Sequence, residues 1–325
     1  MIFPYSIRLI CLCLEMIFLV NLTVSILVLV LSWLFFKAAR RMRAKQAASL
    51  FFGLRLLPFG LSVLVVATLC IPSYLRYEQN TGSEGMGLFC LSTAWMGLAL
   101  VLSALVRGGG ALGQLRRISV ALRGMQTSCV AETEICVADE RRFGAPLMAL
   151  VGVLRPRLLV SPQLLQALST QQLEAALLHE RGHQLSQDNL KRLLMAVTPC
   201  VLPFVNVLAT IERRWERFAE LAADDYATEG RADRSIALAE ALVHVARLSH
   251  FERRIPLASS LSAVNRDLAL RVDRLLSMDA KLPQKGNRPL FAGKSLIPMI
   301  LTIVLLAILS NFFHPLYELL ESLLH

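Results

Sequence analysis

The sequence predicts an α-helical membrane protein with a small α+β domain set between its third and fourth spans. Three observations predict it: long uncharged apolar runs, an uneven distribution of Lys and Arg between them, and an H-E-x-x-H pattern on a helix in the polar part of the chain. Hydrophobic residues make up 55% of the 325 residues, more than an ordinary soluble protein carries.

The first uncharged run covers residues 16–36 and follows Glu15. No small-residue cleavage site comes after it, and it leads straight into Lys37, Arg40, Arg41, Arg43 and Lys45, so it reads as a retained span and not a cleaved signal. Residues 56–75, 86–106 and 296–313 are also uncharged. Each run approaches or exceeds the ~18–20 apolar residues that a helix needs to cross a bilayer. Three spans are therefore expected within residues 1–106, and a fourth with a short tail within 295–325. The loop after the second span carries only Arg76, beside Glu78 and Glu84, whereas Arg107, Arg116, Arg117 and Arg123 follow the third. Lys281, Lys285, Arg288 and Lys294 precede the fourth. By the positive-inside rule both termini lie outside and residues 107–294 form one cytoplasmic domain of a multi-pass cell-membrane protein, of the kind found in a bacterial inner membrane.

The net charge of +10 sits mostly at these membrane borders, where anionic lipid head groups are its partners. A nucleic-acid partner is not expected. The seven cysteines have no metal-ligand spacing. Cys70 and Cys90 approach the outer face and could pair, but apolar packing is the simpler reading for all seven.

Within the domain, Gly108-Gly109-Gly110-Ala111-Leu112-Gly113 reads as a flexible exit from the membrane. Residues 134–138, 147–153 and 157–160 are short apolar or β-branched runs separated by Gly and Pro, which predicts strands of a small sheet. Ser161-Pro162 opens a helix, with Ser as cap and Pro at its first position. Ser169-Thr170-Gln171-Gln172 resembles a capping box for the next helix, along which Leu173, Ala176, Leu177 and Glu180 recur at helical spacing. Residues 193–211 form a fifth uncharged run, but Pro199 and Pro203 interrupt it. A single crossing there would separate the two halves of the domain. The expectation is a bent segment buried in the domain, lying against the bilayer or re-entering it, with a fifth span as the alternative.

The second helix carries His179-Glu180-Arg181-Gly182-His183. A chain with 6 His would show such a pattern by chance about 0.005 times. Positions i and i+4 share one helix face, so both imidazoles can meet one metal ion, with Glu180 close enough to take a proton from a water there. A catalytic zinc site needs a third protein ligand. His244, His250, His314 and His325 have no fitting spacing. Residues 217–227 instead hold Glu220 and Asp224 on one helix face. Glu220 is the expected third ligand, and Asp224 the acceptor for the outer N–H of a ligand histidine. The competing reading is a solvated acidic helix beside Arg213, Arg214 and Arg217.

The combination of H-E-R-G-H with E-L-A-A-D after a hydrophobic segment resembles the gluzincin membrane metallopeptidases. Among them it is most similar to the β-lactam sensor-transducers of the BlaR/MecR type, with the HtpX and Ste-type peptidases as relatives. The resemblance covers the four-span plan, the stretch from Gly152 to Asn189, residues 220–227 and the helix around Arg271–Leu276. It implies an α+β gluzincin (zincin-like) metalloprotease domain and a Zn2+ ion held by His179, His183 and Glu220. It also implies Glu180 as general base and acid, and a protein or peptide substrate received as an added strand within residues 147–153. Two features depart from the pattern. Sensor-transducers carry a penicillin-binding domain after their last span, where about a dozen residues stand here, so direct β-lactam sensing is not expected. Many relatives have a basic residue shortly before the Asp that follows the second histidine; here Asp188 is present without it.

The expected function is an integral-membrane zinc metalloendopeptidase acting on a cytosolic or membrane-proximal protein in regulated proteolysis or signalling. The alternatives are a catalytically silent signalling or scaffold protein and a membrane quality-control protease. An intramembrane protease fits less well, because Gln171, Gln172, Glu174, Arg181, Gln184 and Gln187 make the H-E-x-x-H helix too polar. No oxyanion stabiliser is identified: Arg271, Tyr226 and His250 are candidates, each more simply read as a surface or packing residue.

Overall fold

The structure is a computed structural model and describes residues 4–77, 87–122, 127–130, 133–137, 148–153, 156–201, 207–252 and 258–277. The apolar run 296–313, expected as the fourth span, lies outside them.

Three apolar stretches fold as long helices. α1 is Tyr5–Ala39; α2, Ala44–Val65, passes through one π-helical turn, Val66–Cys70, into α3, Ile71–Tyr77; α4 is Leu88–Leu122. By length and composition Tyr5–Ala39, Ala44–Arg76 and Leu88–Arg117 are each able to cross a membrane. Large apolar side chains stand exposed along them, Val30, Trp33, Phe89, Trp95 and Leu105 among them, as a lipid-facing surface requires. The expected flexible exit at Gly108–Gly113 is not one. α4 continues through these glycines to Leu122, so helix extends past the boundary expected at residue 107. Each Gly costs about 1 kcal/mol of helix propensity relative to Ala. Leu and Ala on both sides favour continuation, and a Cβ at Gly108 would make only ordinary contact with Val197 at 3.7 Å.

The chain divides into two compact units, and the division cuts across the long helices. One includes the described residues of Met1–Val20 and Leu61–Ala99. In it the rings of Tyr5 and Tyr74 lie 4.8 Å apart. The Tyr74 hydroxyl donates to the Tyr5 carbonyl at 3.2 Å. A Cβ at Gly97 would sit 2.0 Å from the Leu14 carbonyl oxygen, so only glycine allows α4 to pass α1 there. Cys70 and Cys90 are both free thiols. The hydrogen-bond partner of Cys70 is Cys13, not Cys90.

The other unit includes Asn21–Gly60 and the described residues from Leu100 onward. Its four-stranded sheet has the order β1-β2-β4-β3, with β1 Thr127–Val130, β2 Thr133–Val137, β3 Met148–Val151 and β4 Arg157–Val160. β2 and β4 are parallel and the other two pairs antiparallel. The three expected strands are present. β1, a short polar Thr-Ser-Cys-Val segment, has no apolar alternation and exists through its pairing with β2. β3 is an edge strand.

The helices that follow are α5 Pro162–Ala167, α6 Thr170–Leu185, α7 Asp188–Val197, α8 Val207–Thr228, α9 Ala232–Glu252 and α10 Ala258–Ser277. α6 is the central helix. Its Leu177 packs with Leu158, Val160 and Leu164 under the sheet. Its Ala175 packs with Ala227, Leu238 and Leu275 of α8, α9 and α10. The apolar run 193–211 is broken, since α7 ends at Val197 and α8 begins at Val207. α8 also lies against the membrane-type helices. Phe218 stacks on Phe51 of α2 at 5.6 Å, and Arg55 of α2, 5% exposed, donates to the carbonyls of Met195 and Thr198 at the end of α7.

Candidate metal centre

The site begins with how α6 starts. Ser169 and Gln172 form a reciprocal capping box: the Ser169 hydroxyl accepts from the Gln172 N–H at 3.3 Å, and the Gln172 carbonyl accepts from the Ser169 N–H at 3.1 Å. The Gln172 acceptor is its side-chain oxygen Oε1, and the reciprocal pair fixes the first turn and with it which face turns inward. That face carries Ala175, Ala176, His179, Gly182 and His183, all buried.

Close approach of α8 brings the second half of the site. A Cβ at Gly182 would lie 3.1 Å from Ala223 Cα and 3.3 Å from the Tyr226 ring, tighter than ordinary contact. On α8 the facing residues are the buried Ala219, Ala223 and Ala227, spaced four apart. Small residues on both helices thus let Glu220 and Asp224 reach the histidines.

His179 Nε2 and His183 Nε2 are 3.2 Å apart. Glu220 Oε2 is 3.5 Å from the first, and Glu220 Oε1 is 3.5 Å from the second. A tetrahedral Zn2+ with bonds of about 2.0–2.1 Å places its ligand atoms about 3.3 Å apart. The donor set, two imidazoles and one carboxylate, and its spacing both fit that ion. These three residues are the one group among the described residues whose ligand atoms gather this closely.

Each histidine is oriented from behind, as metal-binding histidines are. His183 Nδ1 meets Asp188 Oδ2 at 2.8 Å. His179 Nδ1 is 3.0 Å from Asp224 Oδ1, short but off the line of the ring N–H, so it is an ion-pair contact more than a well-aligned hydrogen bond. Asp188 is set in place by Gln187, whose backbone is left-handed at φ 54°. That turn ends α6 and folds Asp188 back onto His183. Lys191 Nζ lies 3.3 Å from the other Asp188 oxygen.

Arg271 of α10 closes the arrangement. Its Nε donates to Asp224 Oδ2 at 2.9 Å and its Nη2 to Oδ1 at 2.7 Å, a bidentate fork. Its Nη1 is 2.9 Å from Glu220 Oε2. Arg271 therefore belongs to the site, but its donors serve the carboxylates. Tyr226 packs beside Gly182, and the side chain of His250 lies outside the described residues. Arg192 of α7, half exposed, stands 3.8 Å from Glu220 Oε1 with its guanidinium over the ring of buried Trp215.

The charges are strongly coupled. Burial pushes His183 down, but Asp188 and Glu220 more than reverse it, and its pKa rises to about 9. His179 is raised as well, Asp224 and Glu220 outweighing burial. Glu220 is held well below the usual carboxylate range, since the two histidines and Arg271 overcome its burial. Glu180 moves the other way: burial lifts its carboxyl, and the neighbouring histidines offset this only in part.

All five residues expected at the site, His179, Glu180, His183, Glu220 and Asp224, are therefore gathered here. Asp188 had no expected role and Arg192 was not singled out. The left-handed turn at Gln187 takes Asp188 off the helical spacing that identified Asp224. Arg192 could have been noticed only as a cation one helix beyond the motif. A family model described as BlaR1 peptidase M56 matches residues 90–275, more than half of the chain. No curated protein and no solved structure matches.

Proposed function

The chain belongs to the BlaR1 peptidase M56 family, and from that premise we propose that it is a membrane-embedded zinc endopeptidase. Its substrate is a peptide bond of a cytosolic or membrane-proximal protein, cut in regulated proteolysis or signalling. One observation carries the reading: His179, His183 and Glu220 present ligand atoms within 4.8 Å of one another, backed by Asp224, Asp188 and Arg271.

When bound, zinc supplies Lewis acidity that polarises both an attacking water and the scissile carbonyl. The residues of the chain do the rest. Glu180 takes a proton from the water as its oxygen attacks the carbonyl carbon. It then delivers that proton to the amine nitrogen as the C–N bond breaks, leaving a carboxylic acid and an amine, and the acid's proton passes to the amine to give carboxylate and ammonium. A carboxyl raised by burial suits both transfers. Edge strand β3 offers its backbone to an extended substrate segment. Arg192 is a half-exposed cation 3.8 Å from Glu220 Oε1, and the developing oxyanion would face it.

The test is a comparison of cleaved protein termini in cells carrying the wild-type chain or Glu180→Gln. A set of fragments present only with the wild type supports the proposal. Identical fragment sets would instead make the protein a catalytically silent member of its family.

A further inference from the structure

Edge strand β3 is tied to the metal site by one side chain. The Asn189 amide nitrogen donates to the Leu150 carbonyl at 2.8 Å and to the Gly152 carbonyl at 2.8 Å. Two carbonyl acceptors require the nitrogen and both of its protons, so the amide has one orientation here. Leu150 and Gly152 alternate along the chain and turn their carbonyls the same way. Gly152, the residue after β3, has φ +105°, a conformation that residues with a Cβ rarely adopt, and its carbonyl meets Asn189 there. The neighbouring residue in the sequence is Asp188, which holds His183 at 2.8 Å.

We propose that Asn189 is a positioning residue that sets β3 relative to the metal ligands, so that an extended substrate docked on β3 meets them at a fixed offset. The inference rests on the peptidase reading above. A four-residue edge strand paired on one side only is weakly held by itself. Recognition by strand addition gains affinity when the receiving backbone is already ordered. Asn189 orders it with two hydrogen bonds, and a carbonyl oxygen has two lone pairs, so neither bond needs to displace one in the sheet. Because Asp188 and Asn189 are consecutive, one dipeptide fixes both the orientation of His183 and the place of the strand.

The experiment uses the zinc-loaded full chain in detergent and two probes. Acetohydroxamate reads the metal alone; a leucine-rich tripeptide hydroxamate reads the metal plus an extended backbone. The wild type should bind the tripeptide compound about tenfold more tightly than acetohydroxamate. Asn189→Asp keeps the shape but removes both donors. It should lose most of that increment while zinc and acetohydroxamate affinities stay within about twofold. Gly152→Ala strains the same junction from the strand side and should reproduce the selective loss, which keeps the test open if Asn189→Asp does not fold. An increment retained in both variants overturns the proposal, as does a parallel loss of zinc and both probes. Absence of acetohydroxamate binding by the wild type would overturn the metal-site reading itself. Absence of the increment alone would overturn only the role of Asn189.

Discussion

His183 sets the pH response of the site. A metal accepts only neutral imidazole, so protons compete with zinc wherever the metal-free histidine is charged. With its pKa raised to about 9, that competition extends well above the ordinary histidine range. The sign for stability follows. The protonated His183–Asp188 contact favours the metal-free fold below about pH 6.5, and its contribution is lost as pH rises through about 9. Zinc affinity, measured by chelator competition, should rise from pH 6.5 to 9 with release of protons; a flat profile would contradict the coupling. Asp224 is 0% exposed, and Arg271→Ala would strip it of its bidentate partner and leave it His179 alone, a loss on the order of 3 kcal/mol. Thermal unfolding should show that loss, and Arg271→Lys should not restore it, since an ammonium cannot reproduce the bidentate fork. The sequence made Glu220 and Asp224 legible through their four-residue spacing. The role of Arg271 was not legible, because its partner lies 47 residues earlier in the chain and only the packing of α10 on α8 brings them together.

Among the elements, the contact of α6 with α8 decides whether a site exists. Gly182 lies between the two histidines and against Ala223, where an added Cβ would approach Cα to 3.1 Å. Gly182→Ala should therefore push the helices apart by a few tenths of an ångström and weaken zinc binding about tenfold or more, although alanine has the higher helix propensity. Unchanged affinity in the variant would show that the site tolerates a looser pair. Both helix starts, Ser161-Pro162 and the Ser169–Gln172 box, were readable because capping uses local residue types. β1 and the helical course of Gly108–Gly113 were not. The first depends on a partner strand and the second on helix formers on both sides, and local composition argues against each.

At the scale of the whole molecule, parts of the apolar helices belong to the compact unit that holds the metal site. That unit takes in Asn21–Gly60, parts of α1 and α2. Phe51 and Arg55 of α2 contact α8 and the end of α7 directly. Hydropathy located the three described membrane-type helices but could not classify residues 193–211, because a run broken after Val197 and a span have the same composition. The excess of Lys and Arg at the membrane borders of the domain leads to the expectation that it is cytoplasmic. A membrane-impermeant thiol reagent should therefore fail to label a cysteine introduced at exposed Gly230 in intact cells, and should label it after permeabilisation; labelling in intact cells would reverse the topology. The zinc ion proposed for His179, His183 and Glu220 is tested most directly by the metal content of the purified full chain. About one zinc per chain is expected in the wild type and in Glu180→Gln, and almost none when all three ligands are replaced by alanine. A triple variant that kept its zinc, or a wild type that held none under saturating metal, would contradict it.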